Sequence, residues 1–250
     1  MILYEYPFNE RVRAYLRLEY LFDRLAFFAA EGDARLHQVA VISLFDILDV
    51  CERTDMKGAV LQDLERQRLN LAALREHPDV DPAALDAMLR EIERVFTALS
   101  VAGKTGQSLR ENEWLSSLRG RLAMPSGATQ VDMPSYYAWQ TKAESLRLAD
   151  LHNWMQPFQP LQEGLALALR LLRESGRRGE AVAEQGAYQQ MLNGKPHQLL
   201  RVWVDPGSAC FPEISANKYM VWIRFSSQDG DLKPQQVARD VSFKMSLCAA

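Results

Sequence analysis

The side chains in this chain best suited to chemistry are arginines. Arg13, Arg17 and Arg24, in and after the peptide Tyr6-Pro7-Phe8-Asn9-Glu10-Arg11-Val12-Arg13, fall within about 40° of one another at a helical turn of about 100° per residue. A guanidinium offers a planar fork of donors that can bond a carboxylate at two points, so this ridge suits either anion recognition or a solvated helix face. A second basic peptide, Gly106-Gln107-Ser108-Leu109-Arg110-Glu111-Asn112, follows in the middle of the chain. Nucleophile and cofactor patterns do not occur: the sequence contains no GxSxG, HExxH or GxGxxG. Gly103-Lys104-Thr105-Gly106 has the residues of a phosphate loop without its spacing, because Ala98 stands where the first glycine is required. The histidines His37, His77, His152 and His197 have no helical i, i+4 partner. Cys51, Cys210 and Cys248 show neither CxxC nor Cys/His spacing, so neither a zinc site nor a disulfide framework is expected.

The elements that must position these arginines are mostly helices. Asn9 is an N-cap, with Phe8 before it as a hydrophobic staple, and from there to about Leu122 the pattern is helix after helix. Leu36 to Glu52 and Lys57 to Arg75 are strongly periodic, and Asp81-Pro82 is an N-cap followed by proline at the first helical position, opening a helix over Ala83 to Leu99. Met124 to Tyr137 interrupts this with turn residues, and Tyr136, Tyr137 and Trp139 can form a short strand. Glu144 to Glu174 returns to helix, broken near Pro157 and Pro160. From Ala181 onward strands are expected at Ala181 to Leu192, Leu199 to Val204, Tyr219 to Phe225 and Val241 to Leu247, with Ile2 to Tyr6 as an added strand. The fold class is α+β, an N-terminal helical bundle packed with an antiparallel β-sheet domain. The helical domain is expected at 1–122 and 143–175 and the β-strand domain at 123–142 and 176–250.

Composition narrows the function. With 250 residues, 48% of them hydrophobic and 24% charged, the chain can bury a substantial core. A formal net charge of -3 gives no global field toward nucleic acid or acidic lipid, so an anionic partner must be met by a local patch. The N-terminal residues lack a basic and then apolar leader, and no run of about 18 apolar residues occurs, so a cytoplasmic protein without membrane association is expected.

Six peptides in order carry a resemblance: the two above, with Asp49-Val50-Cys51-Glu52-Arg53, Leu61-Gln62-Asp63-Leu64-Glu65-Arg66-Gln67, Arg119-Gly120-Arg121-Leu122-Ala123-Met124-Pro125 and Phe211-Pro212-Glu213-Ile214-Ser215. From Tyr4 to Cys248 the chain resembles the ZapD family of Z-ring-associated proteins. The resemblance implies a cytoplasmic homodimer, recruited to midcell, that binds the C-terminal peptide of the tubulin-like GTPase FtsZ and bundles its filaments, without catalysis, metal or cofactor. The positions matching the family's basic surface are Arg17, Arg53, Arg110, Arg119, Arg121, Lys218 and Arg224, expected to form one FtsZ-binding surface where bundle meets sheet. Phe8, Tyr20 and the late-strand aromatics are expected to receive apolar side chains of the peptide. Two positions depart from the family, Glu113 in place of a basic residue and Tyr137 in place of a histidine. Two other classes compete with this reading: a small-molecule enzyme with a site between bundle and sheet, marked by a closed pocket with convergent titratable groups, and a nucleic-acid-binding regulator, disfavoured by the negative charge.

Overall fold

Capping residues start the helices where the sequence places them. In this computed structural model, which describes residues 1–194, 196–230 and 232–249, α1 (Glu10–Ala29) opens with Asn9 Oδ1 accepting the Val12 amide at 2.9 Å. Asp33 and Asp55 cap α2 (Ala34–Arg53) and α3 (Met56–Ala72). Asp81 caps α4 (Pro82–Val101), with Pro82 in its first turn. Then come α5 (Gln107–Glu111) and α6 (Glu113–Leu122), the latter capped by Asn112, whose Oδ1 accepts the Leu115 amide at 3.0 Å. The chain continues through α7 (Pro134–Gln140), α8 (Glu144–Met155) and, after a single 3₁₀ turn at Gln156–Phe158, α9 (Gln159–Glu174). Among the described residues no helix is long and apolar enough to cross a membrane.

The chain divides into two compact units, one formed by residues 14–168 and the other by residues 1–13 with 169–250. The first is helical. Tyr15, Leu18, Leu44, Leu48, Leu64, Ile92 and Leu99 are fully buried along its helices and form its core. Several polar groups inside it are paired: Tyr15 donates to Asp63 at 2.8 Å, and the buried Arg147 donates to Gly32 O at 2.6 Å, to His37 Nδ1 at 3.1 Å and to Lys142 O, fastening two turns.

One expected strand is a helix. Tyr136, Tyr137 and Trp139 lie in α7 because Pro134 supplies a preset first helical residue, and the burial period is three rather than two: Tyr136 and Trp139 are buried while Tyr137 is exposed. The Trp139 ring packs 5.7 Å from Tyr136 and 5.5 Å from Trp154, so these aromatics fill the helical core.

The second unit carries the strands. β1 (Ile2–Pro7), β2 (Gly179–Ala183), β4 (Leu199–Val204) and β8 (Val241–Cys248) form an antiparallel sheet in the order β1-β4-β8-β2. β3 (Ala187–Met191), β6 (Met220–Ser227) and β5 (Phe211–Ala216) form another in the order β3-β6-β5, with β7 (Gln235–Gln236) on the far end of β6. Alternate residues Val202, Val204, Val221, Ile223, Phe225, Phe243 and Met245 bury a shared core. The strand expected over Ala181 to Leu192 is two, because Gln185 and Gly186 both adopt positive φ, the backbone of a tight hairpin turn. β5 carries no sequence expectation of its own; the structure accommodates its Pro212 because β5 lies at a sheet edge. Glu5 on β1 lies opposite Arg201 on β4 and accepts from it at 2.9 Å, while Arg173 closes a bidentate pair with the same carboxylate at 2.9 and 2.7 Å.

Candidate functional site

The helical unit gathers three of the expected cations around the end of α2. Gly106, at a φ of +69°, lets the chain turn close against Leu48 and Phe158 before α5, a conformation a side chain would obstruct, and so sets Arg110 beside α2. Arg110 donates from Nε to Glu52 at 3.0 Å and from Nη2 to Thr105 O at 2.7 Å, while its buried Nη1 has no partner among the described residues. Arg119, a turn before the end of α6, donates to the same Glu52 at 3.1 and 2.8 Å and to Asp49. Arg119 first, then Arg110, holds the Glu52 carboxyl well below its usual range, at about 2. Arg53 is the next residue, exposed, and lines with Cys51, Lys57, Lys104 and Arg110 an open pocket of about 310 Å³. Burial pushes the Cys51 thiol up to about 12, which removes it as a nucleophile.

The other expected residues of this unit stand apart from that cluster in their bonding. Arg121 is exposed in the last turn of α6 and makes no ion pair among the described residues. Arg17 is exposed on α1. The ridge read from the sequence does not act as a unit: Arg24 is drawn to α2, donating to Ser43 at 2.7 Å and pairing with Asp46, and Arg13 pairs with Glu10 at 3.2 Å. Tyr20 is exposed with the Arg24 guanidinium 5.9 Å from its ring centre. Glu113 stands in the first turn of α6, where a negative charge complements the exposed amides of the helix start.

The strand unit holds the remaining two cations on one hairpin. Lys218 lies in the exposed turn between β5 and β6, its Nζ 4.7 Å from the Tyr219 ring centre. Arg224 points outward from β6, donates to Glu213 of β5 from Nε at 3.0 Å and forms an ion pair with it through Nη2 at 2.8 Å. Trp222, two residues away on the same face, is 39% exposed. Trp222, Arg224 and Glu213 line a groove of about 860 Å³ with Gln189, Ser215 and Glu184, and Lys218 and Tyr219 are not part of its lining. Phe8 is instead packed against the strand core and Tyr6, with ring centres 6.0 Å apart.

Sequence reasoning missed the glutamates. Glu52 and Glu213 are written in the quoted peptides, but only cross-strand register and helix contacts show that they occupy the arginines.

The molecule is therefore an α+β protein whose accessible chemistry is basic and aromatic. The family model described as ZapD, cell division protein, matches residues 16–224. Similar proteins match over their whole length: the cell division protein ZapD of Bordetella pertussis is 74% identical over 250 residues, covering 100% of this chain and 99% of that one. Those of Janthinobacterium sp. (strain Marseille) and Cupriavidus necator are 51% and 50% identical, with at least 99% of each chain covered. The chain belongs to the ZapD family, and its role is in cell division.

Proposed function

We propose that this protein is a non-enzymatic cell-division factor that binds the C-terminal peptide of FtsZ and crosslinks FtsZ filaments, stabilising the Z-ring at midcell. The observation that carries the reading is the outward face of the β5–β6 hairpin, where Arg224 stands beside the exposed Trp222, with Lys218 against Tyr219 in the turn that joins the strands. Guanidinium and ammonium groups next to exposed rings suit a short peptide that offers carboxylates and apolar side chains together. Arg17, Arg53 and Arg121 add exposed cations on the helical unit, while Arg110 and Arg119 brace the segment from which Arg53 projects. A homodimer carries every such site twice, and two weak contacts on neighbouring filaments reinforce each other through effective concentration. The protein then acts in the cytoplasm with no cofactor, and neither nucleic acid nor membrane is its partner.

Co-sedimentation with polymerised FtsZ tests this. Bundling should require the FtsZ C-terminal peptide, weaken as salt rises, and fall sharply in the Arg17→Glu and Arg224→Glu variants. Absence of binding to intact filaments at low salt, or bundling by a monomeric form, would overturn it.

A further inference from the structure

Glu213 stands directly opposite Arg224 in the β5–β6 register, so the two side chains meet in the unbound protein. Arg224 Nε donates to one oxygen, Glu213 Oε2, and Nη2 lies 2.8 Å from the same atom, which also accepts from the hydroxyl of the buried Ser226. We propose that Glu213 is a built-in competitor: it occupies Arg224 until a carboxylate of the bound peptide displaces it. This rests on the peptide-binding reading above and adds a selection step to it.

Three features make the exchange feasible. The Nε/Nη2 edge of Arg224 is spent upon a single oxygen, whereas an incoming carboxylate can accept both donors on two oxygens, the stronger arrangement. Glu213 is not orphaned when the arginine leaves, because it keeps the Ser226 hydroxyl. The pair is open to water, with 58% of the Arg224 side chain and 40% of the Glu213 side chain exposed. Hydrogen bonds from Ser226 first, then Arg224, hold the Glu213 carboxyl below its usual range, so it stays charged at neutral pH. A peptide that brings only a carboxylate exchanges one ion pair for another. One that also lays an apolar side chain on Trp222 gains contact area, and the competitor thereby favours the combined signature.

The test is fluorescence anisotropy of a labelled peptide with the FtsZ C-terminal sequence, titrated with wild-type protein, Glu213→Gln and Glu184→Gln. Glu184 lines the same groove, and no ion pair joins it to an arginine among the described residues, so its variant reports the effect of charge alone. Glu213→Gln should tighten binding by about 1.5- to twofold, the scale of an exposed pair, and Glu184→Gln by clearly less. Unchanged or weaker binding by Glu213→Gln, or equal gains in both variants, would overturn the competitor while leaving the peptide site standing. Failure of wild type and both variants to bind, with native circular dichroism, would instead overturn the peptide reading and the competitor with it.

Discussion

The helical unit and the strand unit each set arginine against glutamate, and their surroundings make the two pairings different devices. Glu52 accepts three hydrogen bonds from two arginines on two other helices, and the Arg110 and Arg119 side chains are only 22% and 32% exposed. Glu213 faces one arginine across a strand pair, and that arginine is 58% exposed. A carboxylate that ties separate elements together in partial shelter from water fastens the fold. One that meets a single solvated partner on the same hairpin can be exchanged without loss of architecture. Residue types are alike in the two places; connectivity and exposure separate them.

The largest test of that difference is stability. Glu52→Ala removes the common acceptor of Arg110 and Arg119 and should lower the unfolding free energy by about 2 kcal/mol. Glu213→Ala, by contrast, should change it by less than about 0.5 kcal/mol. Urea unfolding followed by tryptophan fluorescence measures both, and equal losses would erase the distinction.

Acid should act on the fastener next. The folded carboxyl of Glu52 lies at about 2, below its ordinary 4.5, so its ion pairs stabilise fully above pH 4.5 and fail as pH falls toward 2. Because about a third of the side chain meets solvent, screening reduces this contribution to about 1 kcal/mol. The shift at Glu213 has the same sign, and its greater exposure makes its part smaller. Unfolding of wild type and Glu52→Gln compared between pH 6 and pH 3 should show the gap between them narrowing as acid is added. A gap that is constant with pH would remove the ion-pair explanation.

The same contrast explains what could be read from the chain. Helix starts at Asn9 and Asp81 were legible because a cap is a local event, written in adjacent residues. The Val221, Ile223, Phe225 alternation was legible because one sheet face is buried. Tyr136 and Trp139 misled, since aromatic residues suit strands in isolation and only Pro134 and the tryptophan cluster decide for a helix. For the candidate site, the arginines were visible as residue types. Their availability was not, because Glu52 meets Arg119 across 67 residues and such pairing depends on tertiary contact. Arg24 shows the same limit: its place on a helical ridge was readable, whereas its bond to Ser43 of α2 was not.

The smallest effect is the most discriminating. In a double-mutant cycle, the coupling of Arg224 with Glu213 should be about 0.3 kcal/mol at low salt and vanish near 0.5 M, where screening acts over about 4 Å. The coupling of Arg119 with Glu52 should be about 1 kcal/mol and persist, because short hydrogen bonds in a partly sheltered cluster are screened much less. Under the proposed function, salt thus separates two ways in which bundling would weaken. If salt acted by loosening the helical fastener, Glu52→Gln would abolish the salt dependence of filament binding. If it acts at the exposed hairpin, as the proposed function expects, Glu52→Gln leaves that dependence intact and Arg224→Ala reduces it.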